Sequence, residues 1–293
     1  MPRDEPSTAA FRFGALWLVA FNLQTAVIDA TAKFLAEDLH SVQVTWGYFV
    51  AMLLGLTVYS AVRGVRLADA FRTERPWLQL LRPLLITTTL GMLFTGLAYL
   101  PLAEAIAITF MSPLFVTALS VPLLGERVGI HRWLAVLAGV IGMVILVRPT
   151  GGIVHWAAVL TLGSALAFAL FQIVTRRLMA TETTTSVLFW TAVGSVLWAS
   201  LAVPFFWSPL ALWQTAVLLG IGLIGVSAHF CMIRAFTVAE ASQLAPFNYI
   251  KLVWVMIIGY AVWGDIPDAQ TWLGSAFIIA SGLYVYWREQ RRD

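Results

Sequence analysis

Long apolar runs recur along the whole chain, each broken by a short stretch carrying charge, Pro or Gly. Ten can be drawn, at about 13–36, 42–62, 77–98, 103–124, 131–148, 154–178, 184–204, 211–236, 241–263 and 269–287. Nearly all reach the roughly 20 residues that a helix needs to cross a hydrocarbon core of about 30 Å at 1.5 Å per residue. The pattern predicts an all-α integral membrane protein of ten transmembrane helices joined by short connections. The longest connection, 63–76, is also the most basic. The segment before the first run is polar and of mixed charge, with no short apolar stretch and A-x-A cleavage site, so no removable signal peptide is expected.

Composition agrees with the pattern. Of the 293 residues, 60% are apolar and 11% charged, against about 45–50% and about 25% in soluble domains. A soluble fold is excluded, because that much apolar surface must face lipid. The +3 net charge calls for no nucleic-acid partner once its distribution is seen. If the N-terminus is inside, 15 of the 18 Lys and Arg fall at inside ends, Arg63, Arg66, Arg72, Arg75 and Arg82 among them. Lys33 and Arg148 fall outside, and Lys251 lies within a run. This bias predicts cytoplasmic N- and C-termini. A lone cysteine, Cys231, excludes an intramolecular disulfide and any thiolate cluster. Most of the tryptophans lie at run ends, where the headgroup layer suits them.

An internal repeat divides the runs into two sets of five. Tyr99-Leu-Pro-Leu-Ala-Glu-Ala105 is echoed by Ala235-Phe-Thr-Val-Ala-Glu-Ala241, each followed by a proline within the run, Pro113 and Pro246. Gly125-Glu126-Arg127 is echoed by Gly264-Asp265-Ile266, and Trp133 by Trp272. The halves are expected at 13–148 and 152–288. Five is odd, so the second half enters the membrane from the opposite side, and inverted repeats place a binding site near the midplane between them. The two prolines are the candidate points of helix bending or gating.

These residues resemble a known family. The Leu-Pro-Leu-Ala-Glu-Ala stretch, Met111-Ser112-Pro113-Leu114-Phe115, Leu124-Gly-Glu-Arg127 and Gly139-x-x-Gly142, with a weaker copy ending in Gly264-Asp265-Ile266-Pro267, are similar to EamA-type drug/metabolite transporters. The resemblance covers about 13–288. By overall similarity it is narrowest to the YddG-type exporters of aromatic amino acids. It implies two inverted five-helix repeats, a central cavity and export across a bacterial inner membrane. Asp265 departs from the Glu usual in that family, at a loop position.

Charge inside the membrane costs at least about 2.5–3.5 kcal/mol and marks function by default. Lys251 lies about 15 Å into its run if that run is a continuous helix. Phe247, Asn248 and Trp254 then share its face at i−4, i−3 and i+3, and are expected with it to bind a cargo carboxylate and an aromatic group. Asp29 lies about 9 Å further out; a direct bridge to Lys251 is not favoured, and a local pair with Lys33 at i+4 is the plainer expectation. A cargo ammonium on Asp29 is the alternative role, as in a cationic-drug exporter. His229, the one histidine well inside a run rather than at its end, is expected as a packing residue. Asn22, Gln24, Gln172 and Gln243 either line a cavity or stitch helices. Glu104 and Glu240 suit the positive ends of their helices, and Gly47-x-x-x-Ala51-x-x-x-Gly55 forms a close-packing face.

The chain lacks the paired in-membrane His or carboxylates of a metallohydrolase, a nucleophile elbow and phosphate-cradling Gly-rich loops, so an enzyme is not expected, and neither a cofactor nor a metal. A ring of like charges or a filter loop, as a channel would need, is also missing. The expected partners are a small-molecule substrate and the bilayer, and a monomer is compatible with both.

Overall fold

The structure, a computed structural model, describes residues 8–64, 71–124, 129–147, 155–238 and 245–290. Glu240, Gln243, Arg148 and the Gly125-Glu126-Arg127 signature lie outside them. The described residues form helices throughout. In the first half these are α1 (Thr8–Leu35), α2 (Ser41–Arg63), α3 (Pro76–Tyr99), α4 (Leu102–Thr109), α5 (Ser112–Leu124) and α6 (Ile130–Val147). In the second they are α7 (Trp156–Leu178), α8 (Thr184–Ala202), α9 (Leu212–Val238), a 3-10 turn (Ala245–Tyr249), α10 (Ile250–Trp263) and α11 (Ala269–Gln290). Among the described residues, seven stretches are helical, long and apolar enough to cross a membrane, and Trp133–Val147 and Phe247–Trp263 are shorter apolar helices.

Sequence signals explain the helix ends. His40 and His155 cap α2 and α7 by accepting from the amides of Val42 and Ala157, and Thr183 caps α8 through the amide of Ser186. Gly264 ends α10 with a φ of 69°, a left-handed conformation costly for other residues.

Packing relates the halves. α3 packs most extensively on α7 and α1 on α9; α2 on α9 answers α3 on α8; α4 and α5 on α7 answer α1 on α10; α2 on α8 and α6 on α11 answer themselves. Each couple interconverts when the first five segments are exchanged for the second five, with α4 and α5 counted as one segment and the 3-10 turn and α10 as another.

Small residues let these helices approach. A Cβ at Gly47 would stand 2.9 Å from Leu218, and one at Gly222 would stand 2.2 Å from the Ala51 Cβ, so the small-residue face of α2 receives α9. At the α6–α11 crossing, a Cβ on Gly142 would stand 2.8 Å from the Gly274 carbonyl and one on Gly274 2.7 Å from the Gly142 carbonyl. Backbone cannot yield as a side chain can. Gly142→Ala is therefore expected to lower stability by about 1–3 kcal/mol, read as a fall in the unfolding midpoint in detergent. Gly91→Ala, which meets nothing within 4 Å, should leave the midpoint unchanged or higher.

The two ends of the bundle differ. At the end away from the arginine clusters, Lys33 Nζ donates to the Leu97 and Leu100 carbonyls at 2.9 and 2.7 Å and lies 5.4 Å from the Trp263 ring. Trp263 Nε1 donates to Glu37, the Ser41 and Thr95 hydroxyls meet at 2.5 Å, and Gln43 bonds the Ser208 amide and carbonyl. These contacts join α1, α2, α3, α10 and the turn before α9. At the arginine-rich end, α3 is tied to α7 and α8. Glu182 Oε1 accepts from Thr73 Oγ1 and the Glu74 and Arg75 amides. Desolvation raises its pKa, but those hydrogen bonds outweigh it and hold the carboxyl below the ordinary glutamate range. Among the described residues, α9 makes no comparable packing with α7 or α8, although α3 packs on both α1 and α2. Among the described residues, the bundle is joined across the far end, and the counterpart packing of α9 on α7 and α8 is missing.

Candidate substrate site

Two interrupted helices meet inside the bundle. The segment carrying the first proline breaks between α4 and α5, where the Phe110 and Met111 amides make tight bonds to the Ala107 and Ile108 carbonyls. Pro113 is the second residue of α5, where its missing N–H is tolerated. In the repeat-related segment, Pro246 falls in the 3-10 turn and the α-helix starts only at Ile250. The breaks touch each other, with the Phe110 and Tyr249 rings 5.2 Å apart. Asn22 Nδ2 on α1 donates to the Leu18 carbonyl at 2.8 Å and reaches the Phe247 carbonyl of the turn at 3.3 Å, tying the irregular turn to α1. Irregular backbone at membrane depth is tolerated where it is buried in protein or lines a cavity.

Lys251 is the second residue of α10, and its Nζ lies 2.6 Å from Asp29 Oδ2 on α1. The Asp29 side chain is 6% exposed and that of Lys251 19%. Tyr48, buried on α2, lies within the field of Asp29. The pairing corrects the depth argument from the sequence. That argument ran a rise of about 1.5 Å per residue through a five-residue 3-10 turn, which climbs about 2.0 Å per residue and so moves Lys251 out by about 2.5 Å. This is part of the offset of about 9 Å, and depth along separate helices does not decide which side chains meet. Lys33 is not the partner of Asp29, because the last carbonyls of α3 hold its ammonium.

The other expected residues divide. Trp254, one turn beyond Lys251, packs against the main core, and its Nε1 is enclosed without a hydrogen-bond partner among the described residues. On α1, Gln24 Nε2 contacts Cys231 Sγ at 3.3 Å, while its Oε1 is enclosed without a partner. Phe247 and Asn248 belong to the 3-10 turn, so the i−4 and i−3 face with Lys251 does not form. Phe247 packs instead against the buried cluster of Ala15, Leu18 and Ala235, and Asn248 is half-buried. His229 bonds the Gly225 carbonyl of its own helix at 2.9 Å, as a packing histidine does.

One residue was missed. Arg82, assigned from the sequence to a basic helix end, is 7% exposed inside the bundle. The available signal was its position about 9 Å along α3, between Leu80-Leu81 and Pro83-Leu84.

Comparison with known proteins decides the family. The model of the EamA-like transporter family matches residues 12–148 and again 155–287. The chain belongs to the EamA-like transporter family. A riboflavin transporter of Rhizobium johnstonii is 31% identical, over 99% of this chain and 95% of its own. An S-adenosylmethionine uptake transporter of Rickettsia bellii is 26% identical over 96% of each, and a pseudopaline exporter of Pseudomonas aeruginosa 29%, over 92% of this chain and 94% of its own. A solved structure 17% identical superposes with a TM-score of 0.62, over 98% of this chain and 99% of its own, which speaks for the fold alone. This EamA-like protein is a multi-pass membrane transporter of small molecules. None of the three named relatives is an aromatic amino acid exporter, so the family is shown and that cargo is not. Among the described residues, no group of three or more His, Cys, Asp or Glu is placed to hold a metal ion.

Proposed function

We propose that this protein is an inner-membrane exporter of small metabolites that carry an amino-acid head group on an aromatic or planar body, aromatic amino acids foremost. Ten helices in two inverted five-helix repeats would carry it between inward- and outward-facing states, with both termini cytoplasmic. The observation that carries the reading is the Asp29–Lys251 pair, which joins α1 of the first half to α10 of the second beside the two helix breaks. An α-amino acid brings the same two charges. Its carboxylate takes the place of Asp29 on Lys251 and its ammonium the place of Lys251 on Asp29, so entry costs little net desolvation and loosens a link between the halves. Trp254 offers a ring and an unsatisfied N–H to the body of the cargo; Phe247 and Asn248 form the adjoining turn, and Pro113 and Pro246 mark the segments that flex.

The relatives' names support the chemistry in two ways. S-adenosylmethionine carries an amino-acid head group, and riboflavin a planar ring system. A purely cationic cargo fits less well, because Lys251 already neutralises Asp29.

Proteoliposomes loaded with labelled tryptophan test the reading. Saturable, trans-stimulated flux is expected, with tryptamine and indolepropionate, each lacking one charge, at least about tenfold weaker as competitors than tryptophan. Tryptamine competing as well as tryptophan would transfer the assignment to cationic cargo, and flux without saturation would indicate a channel.

A further inference from the structure

Arg82 is the buried charge that the ion pair leaves unexplained. A guanidinium has five N–H donors. Nε donates to Thr175 Oγ1 on α7 at 2.8 Å, and Nη1 donates to the Val187 carbonyl and Thr191 Oγ1 on α8. Both threonine hydroxyls donate to the carbonyl four residues back, Phe171 and Val187, so their lone pairs are presented to Arg82. The Phe171 ring covers one face of the guanidinium at 4.4 Å. The side chain is thus held rigidly, by neutral groups only. No carboxylate of a described residue pairs with it, and the two N–H groups of Nη2 have no protein acceptor among the described residues.

A structural arginine in a membrane protein is expected to spend its donors and find a counter-charge, since an unpaired cation there is costly. Arg82 does neither. Its position suggests what completes it. It is anchored to α7 and α8, on which α9 makes no comparable packing among the described residues, and its charge reaches His229 on α9. Arg82 lies about 9 Å from the arginine-rich start of α3, and Asp29 about 9 Å from the opposite end of α1. A solute entering from the arginine-rich end meets Arg82 before the ion pair.

We propose that the free edge of Arg82 is an anion-binding subsite on the transport path, taking a carboxylate or phosphate group of the cargo before it reaches Asp29 and Lys251. The word cargo rests on the transport reading above; the anion site itself does not, and binding is therefore measured apart from flux.

The test uses the full-length protein in nanodiscs, with benzoate and inorganic phosphate as probes against chloride at matched ionic strength. In phosphatidylcholine discs, modification of Arg82 by phenylglyoxal, followed by mass spectrometry, should slow severalfold with either probe and not with chloride. Benzoate should also raise the unfolding temperature of the wild type. Arg82→Gln should weaken that stabilisation by about tenfold or more, while the Asp29→Asn/Lys251→Met double variant keeps it. Protection that needs no probe but appears when phosphatidylglycerol is added would show a lipid headgroup on Arg82 and overturn the cargo assignment. Absence of protection by either probe, or unchanged stabilisation in Arg82→Gln, would overturn the site. The labelling arm needs only the wild type, so a poorly folding variant leaves the outcome decidable. A protein that binds the probes at Arg82 yet fails the tryptophan assay would retain the subsite and lose the proposed cargo.

Discussion

Lys251→Met is expected to destabilise the protein by about 3–5 kcal/mol and to abolish transport. The methionine fills the space of the lysine stem but leaves Asp29, 4% exposed, as a buried carboxylate without its cation, the costly outcome for a broken buried pair. Asp29→Asn in the same chain removes that charge, and the double variant should recover most of the stability, because replacing both members of a buried pair is often close to neutral. Stability and function then separate. If the pair is where the cargo's two charges are exchanged, the double variant unfolds near the wild-type temperature and still moves no tryptophan. Thermal unfolding and flux measured on both variants decide the point. Recovery of flux in the double variant would reduce the pair to a structural clamp.

Lys33→Met is expected to open the far end. α3 ends at Tyr99, so the carbonyls of its last turn lack helical donors, and Lys33 supplies charge-assisted bonds to two residues there, Leu97 and Leu100. It thereby pins α1 to α3 at the far end. Each such bond is worth about 1.5–3 kcal/mol. Their loss should raise the population open at that end by about tenfold or more, since 1.4 kcal/mol is a factor of ten. The measurement is the rate at which an impermeant maleimide labels a cysteine introduced as Thr95→Cys in a Cys231→Ser background, where Thr95 normally meets Ser41. Lys33→Arg should label nearly as slowly as the parent. An unchanged rate in Lys33→Met would show that apolar packing alone seals the end.

The membrane class, the helical segments and the doubling of the chain were all legible, because each depends on local sequence. An apolar run, a capping residue or a repeated motif can be read without knowing what packs against it. The prolines marked the two segments that are irregular, but not the manner of the break. In the first, the chain turns before Pro113; in the second, a 3-10 turn runs through Pro246 and the α-helix begins four residues later. That difference changed the site. A continuous helix aligned Phe247 with Lys251 on a face that does not form, and depth counted along separate helices did not foresee that Lys251 meets Asp29.

Arg82 shows the complementary limit. Counting arginines by position predicts which side of a membrane a loop occupies, yet the same residue type seven places into a helix is indistinguishable from a loop arginine until its neighbours are known. Thr175, Val187 and Thr191 lie roughly a hundred residues away in the chain, and no local signal ties them to Arg82.

By itself, then, the sequence determined that the chain lives in lipid, crosses it repeatedly and is built twice, because the bilayer's demand on hydrophobic length and backbone hydrogen bonding acts on each segment separately. Only the tertiary structure decided which charges are paired, which helices are joined at the far end and which buried cation keeps donors unspent among the described residues. Those outcomes depend on distances of a few ångströms between segments far apart in the chain, which no local pattern records.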